Sequence, residues 1–551
     1  MSGSTTPEAE AGARVPAPEE RLGGWGPWLL GALVLCAGLL LWDGFPPGIW
    51  HDDGVYVLLG KSLAQGDGLR YVGVAGEPLA PKFPPLFPLL LAGVWLLVPE
   101  ISDNSLLLGG VNLLVLAAAA TLLAAYIRKG LGQPGLLALA AAGLACLSPE
   151  LWRVAFVPLS EPLFLVTLIL ALWAGARMEA RTGWAGVAFF LLAAGAAAYT
   201  RSVGVALFPA AALVLFFRGR RGPALGILAG GLALLLPWLL WSSRAVETIP
   251  EPLRDILGPY GQWWIREVAR DPVSYGPFLL ANLKSLLVRS LVLLLPGVTG
   301  SLLWLGLLLL PFLALGLWEM ARRTPFLPVT LAVSVGVLLL WPFGDIRLLV
   351  PFAPFLVLAV FLGCRVAWTA TSSRRPLGLV ARILASAWIF VFVAFSGHRL
   401  ATGWPGQPYH VRSAALVRAV QAVQAHTPPD AVVGAPELWS GLHLFTGRTV
   451  VPSAPFRPLA GETAPWGSPG DQYELWEVAG VTHLLVEHGG KVHGEALDRV
   501  DARCEPGTVQ LLSMEESQFL VRLGWDRACR EALGVGGAAG GPGDPGAVRS
   551  R

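Results

Sequence analysis

Long apolar runs recur along this chain with short basic loops between them, and that alternation limits its possible folds more than any other feature. About eleven stretches approach the ~20 residues an α-helix needs to cross a hydrocarbon layer of ~30 Å. They are 25–42, 106–127, 134–151, 159–176, 184–199, 203–217, 223–241, 299–319, 326–343, 348–368 and 379–395. The expected fold class is therefore mostly α: a polytopic membrane helix bundle of about eleven transmembrane helices. Composition agrees, since 54% of the residues are hydrophobic and only 14% charged. The 22 Trp suit a chain with many membrane–water boundaries. A net charge of +3, spread over short loops, gives no nucleic-acid-binding face.

The basic loops set the orientation. Arg128-Lys129, Arg177 with Arg181, Arg218-Gly219-Arg220-Arg221, Arg322-Arg323 and Arg374-Arg375 all fall on one side if the N-terminus is cytoplasmic. The positive-inside rule assigns that side to the cytoplasm. Residues 276–296 are apolar enough to pass for a further span, which would invert everything after them. They carry Asn282, Lys284 and Arg289, while Leu279, Leu280, Leu283, Leu286 and Leu287 share one helical face, a pattern that suits an interfacial helix on the outer side. The run 25–42 lacks a small-residue cleavage site and reads as a retained span in the cell membrane, most simply a bacterial inner membrane. Residues 1–24 read as a disordered cytoplasmic tail, rich in Ala, Pro and Glu.

With this topology 25–398 is the transmembrane region, and its large outer loops are 43–105 and 242–298. Residues 405–533 change character. Helical patterns alternate there with β-like runs at 431–433, 449–451, 483–486 and 509–512, as in a small extracytoplasmic α/β domain. A glycine-rich flexible tail, 534–551, closes the chain. Cys36, Cys146 and Cys364 lie in apolar runs and read as packing residues. Cys504 and Cys529 both fall in the outer domain, where an oxidising compartment permits a bridge; sequence alone does not decide whether it forms.

Candidate chemistry gathers on the outer side. Asp52 and Asp53 follow the first run, at the start of a helix whose apolar face is Val55, Leu58, Leu59 and Leu63. Asp52 could simply cap that helix, with Asp53 favoured at its positive end. One carboxylate suffices for that, and a second leaves a group for base or metal chemistry. Lys82 precedes Phe83-Pro84-Pro85 and could either snorkel to headgroups or bind a phosphate. Glu161, Arg201, Asp345 and Arg347 all lie at outer ends of runs, where each could be a loop residue or one half of an internal ion pair. Charge near a bilayer is costly and usually faces a cavity or a partner, so together these groups could bind an anionic phosphate and deprotonate a hydroxyl. His51 could join Asp52 and Asp53 around a divalent metal, although a polar interfacial role is simpler. His483, His488 and His493 lack zinc spacing. No Walker loop, nucleophile elbow or HExxH motif is present.

His51-Asp52-Asp53-Gly54-Val55-Tyr56, Gly66-Asp67-Gly68 and Lys82-Phe83-Pro84-Pro85-Leu86-Phe87-Pro88-Leu89-Leu90 resemble the first outer loop of GT-C glycosyltransferases. The likeness is to the branch of protein O-mannosyltransferases and aminoarabinose-to-lipid A transferases. Ser160-Glu161-Pro162-Leu163-Phe164, Thr200-Arg201-Ser202-Val203-Gly204 and Arg347-Leu348-Leu349-Val350-Pro351 resemble later landmarks of that group. The family pattern usually has Asp-Glu where this chain has Asp52-Asp53. The resemblance implies a GT-C-like bundle in which Asp52 is the catalytic base or its orienting partner, with Asp53 beside it. It implies that Lys82, Arg201 and Arg347 hold the donor phosphate, that Glu161 shapes the cavity, and that Tyr56 belongs to the substrate site. The implied reaction moves a sugar from a polyprenyl phosphate to a hydroxyl of a lipid, glycan or protein acceptor, with inversion. Cofactors are left open, a divalent metal among them. Two rival classes use the same residues differently: a transporter or flippase of lipid-linked or small solutes, and a receptor built around the outer domain. The charges are biased to one surface and no internal repeat is evident, which weighs against transport.

Overall fold

Leucine, alanine and valine runs become helices here because a lipid-exposed backbone must satisfy its polar groups within its own segment. The computed structural model describes residues 18–533 apart from 181–182, 262–264, 266–267, 270–271, 274, 342–344, 371–374, 436–438, 454–468, 488–490, 515–517 and 525. Among the described residues, eight helices are long and apolar enough to cross a membrane. They are Gly24–Leu41, Ile101–Gly130, Glu161–Glu179, Arg221–Thr248, Tyr275–Leu294, Gly300–Arg323, Ile346–Thr369 and Gly378–Ala401. A ninth is reached if Gly135–Cys146 and Pro149–Ala155, bent by 66°, form one broken span.

By length and composition eight or nine helices pass as spans among the described residues, against about eleven expected. The runs at 184–199, 203–217 and 326–343 form the shorter apolar helices Trp184–Thr200, Ser202–Phe217 and Phe326–Leu339. The run at 134–151 bends ahead of Pro149, which has no N–H to donate and drives Ser148 out of the helical region (φ −57°, ψ 117°). Residues 276–296, expected to lie at the interface, form the continuous helix Tyr275–Leu294, which meets the length and composition of a span. At the N-terminus a helix, Pro18–Leu41, starts inside the stretch expected to be a tail. Proline is at home in a first helical turn, where its missing N–H has no partner to lose. The remainder of that stretch, residues 1–17, and the tail 534–551 lie outside the described residues.

The basic loops meet at one end of the bundle. Arg323 Nη1 donates to the carbonyl of Leu131 (2.8 Å) and Arg220 Nη1 to that of Glu179 (2.9 Å). The Glu179 carboxylate pairs with Arg218 (3.6 Å) and accepts from the amide of Phe326 (2.9 Å). Arg365 Nη1 donates to Gln133 Oε1 (2.6 Å). Arg181 and Arg374 lie outside the described residues. Leu310–Arg323 and Ala353–Ala370 run antiparallel, with Gly316 against Ala359 and Gly363 against Phe312; side chains there would keep the backbones apart.

The C-terminal unit is a five-stranded mixed sheet in the order β2-β1-β3-β5-β4. The strands are β1 Val432–Ala435, β2 Thr449–Pro452, β3 His483–Glu487, β4 Val509–Met514 and β5 Gln518–Leu523. β1 pairs in parallel with β2 and β3, whereas β3–β5 and β4–β5 are antiparallel. β5 was absent from the expected strands, and it is the one that inserts between β3 and β4. Cys504 and Cys529 are bridged, with Cα atoms 4.8 Å apart. This unit rests on the first loop of the bundle. Tyr409 Oη donates to the Arg153 carbonyl (2.6 Å), its ring meets Phe45 edge-on (5.2 Å), and the amide of Val450 donates to the Gly73 carbonyl (2.8 Å).

Candidate active site

The helix that carries the carboxylate pair, His51–Gln65, begins after Trp50, whose indole offers no oxygen to cap it. Asp53, in the first turn, supplies the cap. Its Oδ1 accepts from the Trp50 amide and its Oδ2 from the Gly48 amide, both at 2.8 Å. Asp53 is fully buried, and that burial pushes its pKa up to about 7 against the pull of the backbone N–H groups. Asp52, for which capping and chemistry were both open readings, points elsewhere: Arg347 Nη2 donates to its Oδ2 at 2.9 Å. The two adjacent carboxylates thus have different partners, one the loop backbone and the other a cation.

From Asp52 an ion-paired row crosses the end of the bundle opposite the basic loops. Arg347 also donates through Nε to Glu161 Oε1 (3.0 Å), and Arg201 Nη1 meets the same oxygen at 2.8 Å. Arg201 Nη1 further donates to Ser160 Oγ (2.9 Å), which shares a hydrogen bond with Tyr56 Oη (3.0 Å). Glu161 is 1% exposed, and its Oε2 is buried with no hydrogen-bond partner among the described residues. Asp52 and Arg347 keep 25% and 18% of their side-chain surface, so the row opens to the outside at Asp52. Five predicted residues (Asp52, Tyr56, Glu161, Arg201 and Arg347) therefore share one connected cluster. They come from separate elements: the first loop helix, the start of Glu161–Ala180, the end of Trp184–Thr200 and the turn before Ala353–Ala370.

Lys82 approaches from a different direction. Its Nζ donates to the Ile256 carbonyl (2.7 Å) and lies over the Tyr260 ring (4.8 Å to the centroid). Burial pulls its pKa down to about 8, with Asp52 opposing that shift. The carboxylates and arginines of the row balance in charge, two against two, so Lys82 adds a positive charge that no carboxylate within 4.0 Å cancels among the described residues.

Several supporting groups were not singled out from the sequence. Asn112 lies in the middle of Ile101–Ala125 and donates to the carbonyls of Val157 (2.6 Å) and Leu159 (2.8 Å), fixing the loop that delivers Ser160 and Glu161. A buried amide inside an apolar run was the available signal, since such residues rarely face lipid. Tyr260 and Ile256 meet Lys82 across more than a hundred residues of chain, and no local pattern announces that contact.

The carboxylate pair is engaged by the protein itself. Both Asp53 oxygens are taken by amides, Asp52 faces Arg347, and among the described residues no three His, Cys, Asp or Glu side chains converge. The side chains of His51 and His493, and His488 altogether, lie outside the described residues. His483 is buried, with Nδ1 against Thr482 Oγ1 (2.8 Å), a local contact within the sheet.

No protein-family model matches the chain, and no curated protein matches it significantly. Solved structures do. The crystal structure of ArnT from Cupriavidus metallidurans bound to undecaprenyl phosphate superposes with a TM-score of 0.51 at 13% identity, over 90% of this chain and 98% of that one. The same protein in the apo state gives a TM-score of 0.50 at 15% identity, over 91% and 98%. At such identity the likeness establishes the fold: this chain has the polytopic architecture of those structures, with a small sheet-containing unit at its C-terminus.

Proposed function

We propose that this protein is a membrane glycosyltransferase that moves a sugar from a polyprenyl-phosphate donor to an acceptor hydroxyl at the extracytoplasmic face, with inversion. The observation that carries the reading is the row Asp52–Arg347–Glu161–Arg201, with Lys82 beside it, at one end of a fold shared with a protein crystallised with undecaprenyl phosphate. A phosphodiester donor brings one negative charge, which Lys82 matches. As the sugar–phosphate bond breaks, a second negative charge develops on the leaving phosphate, and fixed guanidinium groups stabilise it. Asp52, the more accessible carboxylate of the row, accepts the proton of the attacking hydroxyl. Asp53 acts as a positioning residue that holds the loop from which Asp52 projects.

Orientation rests on complementary features. The basic loops cluster at the end remote from the site, as the positive-inside rule asks of a cytoplasmic face. The Cys504–Cys529 bridge suits an oxidising compartment. Tyr275–Leu294 is tied to the site end at one flank, where Asn282 donates to the carbonyls of Leu339 (3.0 Å) and Trp341 (2.7 Å). After its other flank the chain runs from Gly300 to Arg323 at the basic end, which supports reading this helix as lying along the outer surface. The test is mass spectrometry of products after the purified protein meets a set of polyprenyl-phosphate-linked sugars and lipid, glycan and peptide acceptors. Coupled formation of glycosylated acceptor and free polyprenyl phosphate is expected. Movement of the lipid-linked sugar across vesicles with its phosphate bond intact would instead make the protein a transporter.

A further inference from the structure

The C-terminal domain meets the bundle at the loop that carries the carboxylate pair, and the contact is too close for side chains. Gly48 lies directly against the backbone of Gly441, and a methyl group on Gly441 would sit 2.6 Å from the Gly48 carbonyl oxygen and 2.9 Å from Leu416 Cδ1. One turn into the loop helix, Gly54 faces Ser440, and a methyl group there would lie 2.8 Å from Ser440 Cβ as well as against its Oγ. Ser440 and Trp439 are fully buried in this interface, and the Trp439 ring meets Tyr71 edge-on with centroids 6.5 Å apart. A second seam runs alongside, where His443 packs on Gly73 and the amide of β2 Val450 donates to the Gly73 carbonyl (2.8 Å).

These contacts lead to the reacting carboxylate through one short path. Gly441 abuts Gly48; the Gly48 amide donates to Asp53 Oδ2; Asp53 caps the helix; and Asp52 precedes it by one residue, bonded to Arg347. We infer that Trp439-Ser440-Gly441 is a positioning element of the active site: the outer domain sets the place of Asp52 by pressing a glycine-lined edge against the loop. The domain is then an integral part of the catalytic centre, beyond any part it takes in acceptor binding. The donor-phosphate cations stand on other elements, Lys82 against Ile256 and Arg201 against Glu161, so a disturbance at this edge reaches Asp52 before it reaches them.

The inference deepens the transferase reading, and its test separates the two. Gly441→Ala and Ser440→Val are made in the full-length chain, and three quantities are measured: turnover, binding of undecaprenyl phosphate, and hydrogen exchange of the amides at 46–54. The expected result is a kcat at least tenfold lower, undecaprenyl phosphate affinity within twofold of the parent, and at least tenfold faster exchange at the Gly48 and Trp50 amides. Exchange in Glu161–Ala180 should stay unchanged. Unaltered protection of Gly48 and Trp50 in both variants overturns the inference, whether or not the parent transfers sugar. So does an affinity that falls in step with kcat, because the edge then acts on the whole site. A parent that neither releases polyprenyl phosphate nor glycosylates an acceptor counts against the transferase reading alone, and the exchange data still decide the positioning role.

Discussion

Replacing Asp52 by Asn separates catalysis from structure more cleanly than any other single change in this chain. The Asp52–Arg347 contact, 2.9 Å long, is between side chains that keep 25% and 18% of their surface. A charge-assisted hydrogen bond is worth about 1.5–3 kcal/mol and a neutral one about 0.5–1.5 kcal/mol. Asparagine keeps an oxygen that can accept from Arg347 Nη2, and Arg347 keeps its bond to Glu161, so the loss of stability should stay near the difference, about 1 kcal/mol. The catalytic loss is of another size. General-base catalysis contributes about 10²–10⁴ in rate, equivalent to roughly 3–5.5 kcal/mol of barrier. Asp52→Asn should therefore lower kcat at least about a hundredfold, with an almost unchanged melting temperature and retained binding of undecaprenyl phosphate. The assay is release of polyprenyl phosphate in detergent or proteoliposomes, alongside thermal unfolding of the same preparation. A kcat within about tenfold of the parent would remove Asp52 from the reaction, since the proton would then have another acceptor. A large fall in melting temperature would instead show that the contact with Arg347 is structural first.

Asp53→Asn should behave in the opposite way: an amide NH₂ would oppose either the Gly48 or the Trp50 N–H, each now 2.8 Å from a carboxylate oxygen, and an unmade buried bond costs about 1–3 kcal/mol. Thermal unfolding reads that loss, and an unshifted melting temperature would contradict the capping geometry. Lys82, with a pKa of about 8, is cationic at neutral pH and loses its charge as pH rises through that value, so kcat/KM for the donor should fall on the alkaline side. Lys82→Arg should abolish that limb even if it lowers the plateau, because arginine stays charged; a limb that persists belongs to another group. Replacing Cys504 and Cys529 by Ser opens a loop of 25 residues and should cost about 3.5 kcal/mol by loop entropy, read as protease sensitivity of the C-terminal domain with the bundle still folded.

Hydrophobic periodicity and the placement of arginines made the membrane region legible, because length and charge bias act on each run locally. What they could not settle were runs of intermediate length, such as Phe326–Leu339, and the helix Tyr275–Leu294, where span and interfacial helix share one composition. β5 escaped because Gln518–Leu523 follows Val509–Met514 within a few residues and reads as its continuation; only the antiparallel ladder with β3 gives it a separate place. The site divides in the same way. Five of its residues carried motifs that could be read one element at a time, yet their mutual pairing depends on how those elements assemble. The roles of Asp52 and Asp53 could not be told apart because capping depends on where the helix starts. It starts after Trp50, and that hands the cap to Asp53.

The internal pairing of the row also suggests how it can serve a reaction whose charge demand changes. Before the reaction Arg347 is shared: Nη2 to Asp52 and Nε to Glu161. In the proposed transfer, once the acceptor proton reaches Asp52 that carboxylate becomes neutral, and its hold on Arg347 weakens from a charge-assisted bond to an ordinary one. At that stage the departing phosphate gains its second negative charge. The guanidinium released from Asp52 is thus freed by the same proton transfer that accompanies bond formation, provided it stays anchored through Nε to Glu161. A lysine at 347 would have to reach both carboxylates from one nitrogen, whereas arginine reaches them from Nη2 and Nε at once. Glu161 then has a role of its own. Buried and bound by two arginines, it keeps Arg347 and Arg201 together while Asp52 changes charge.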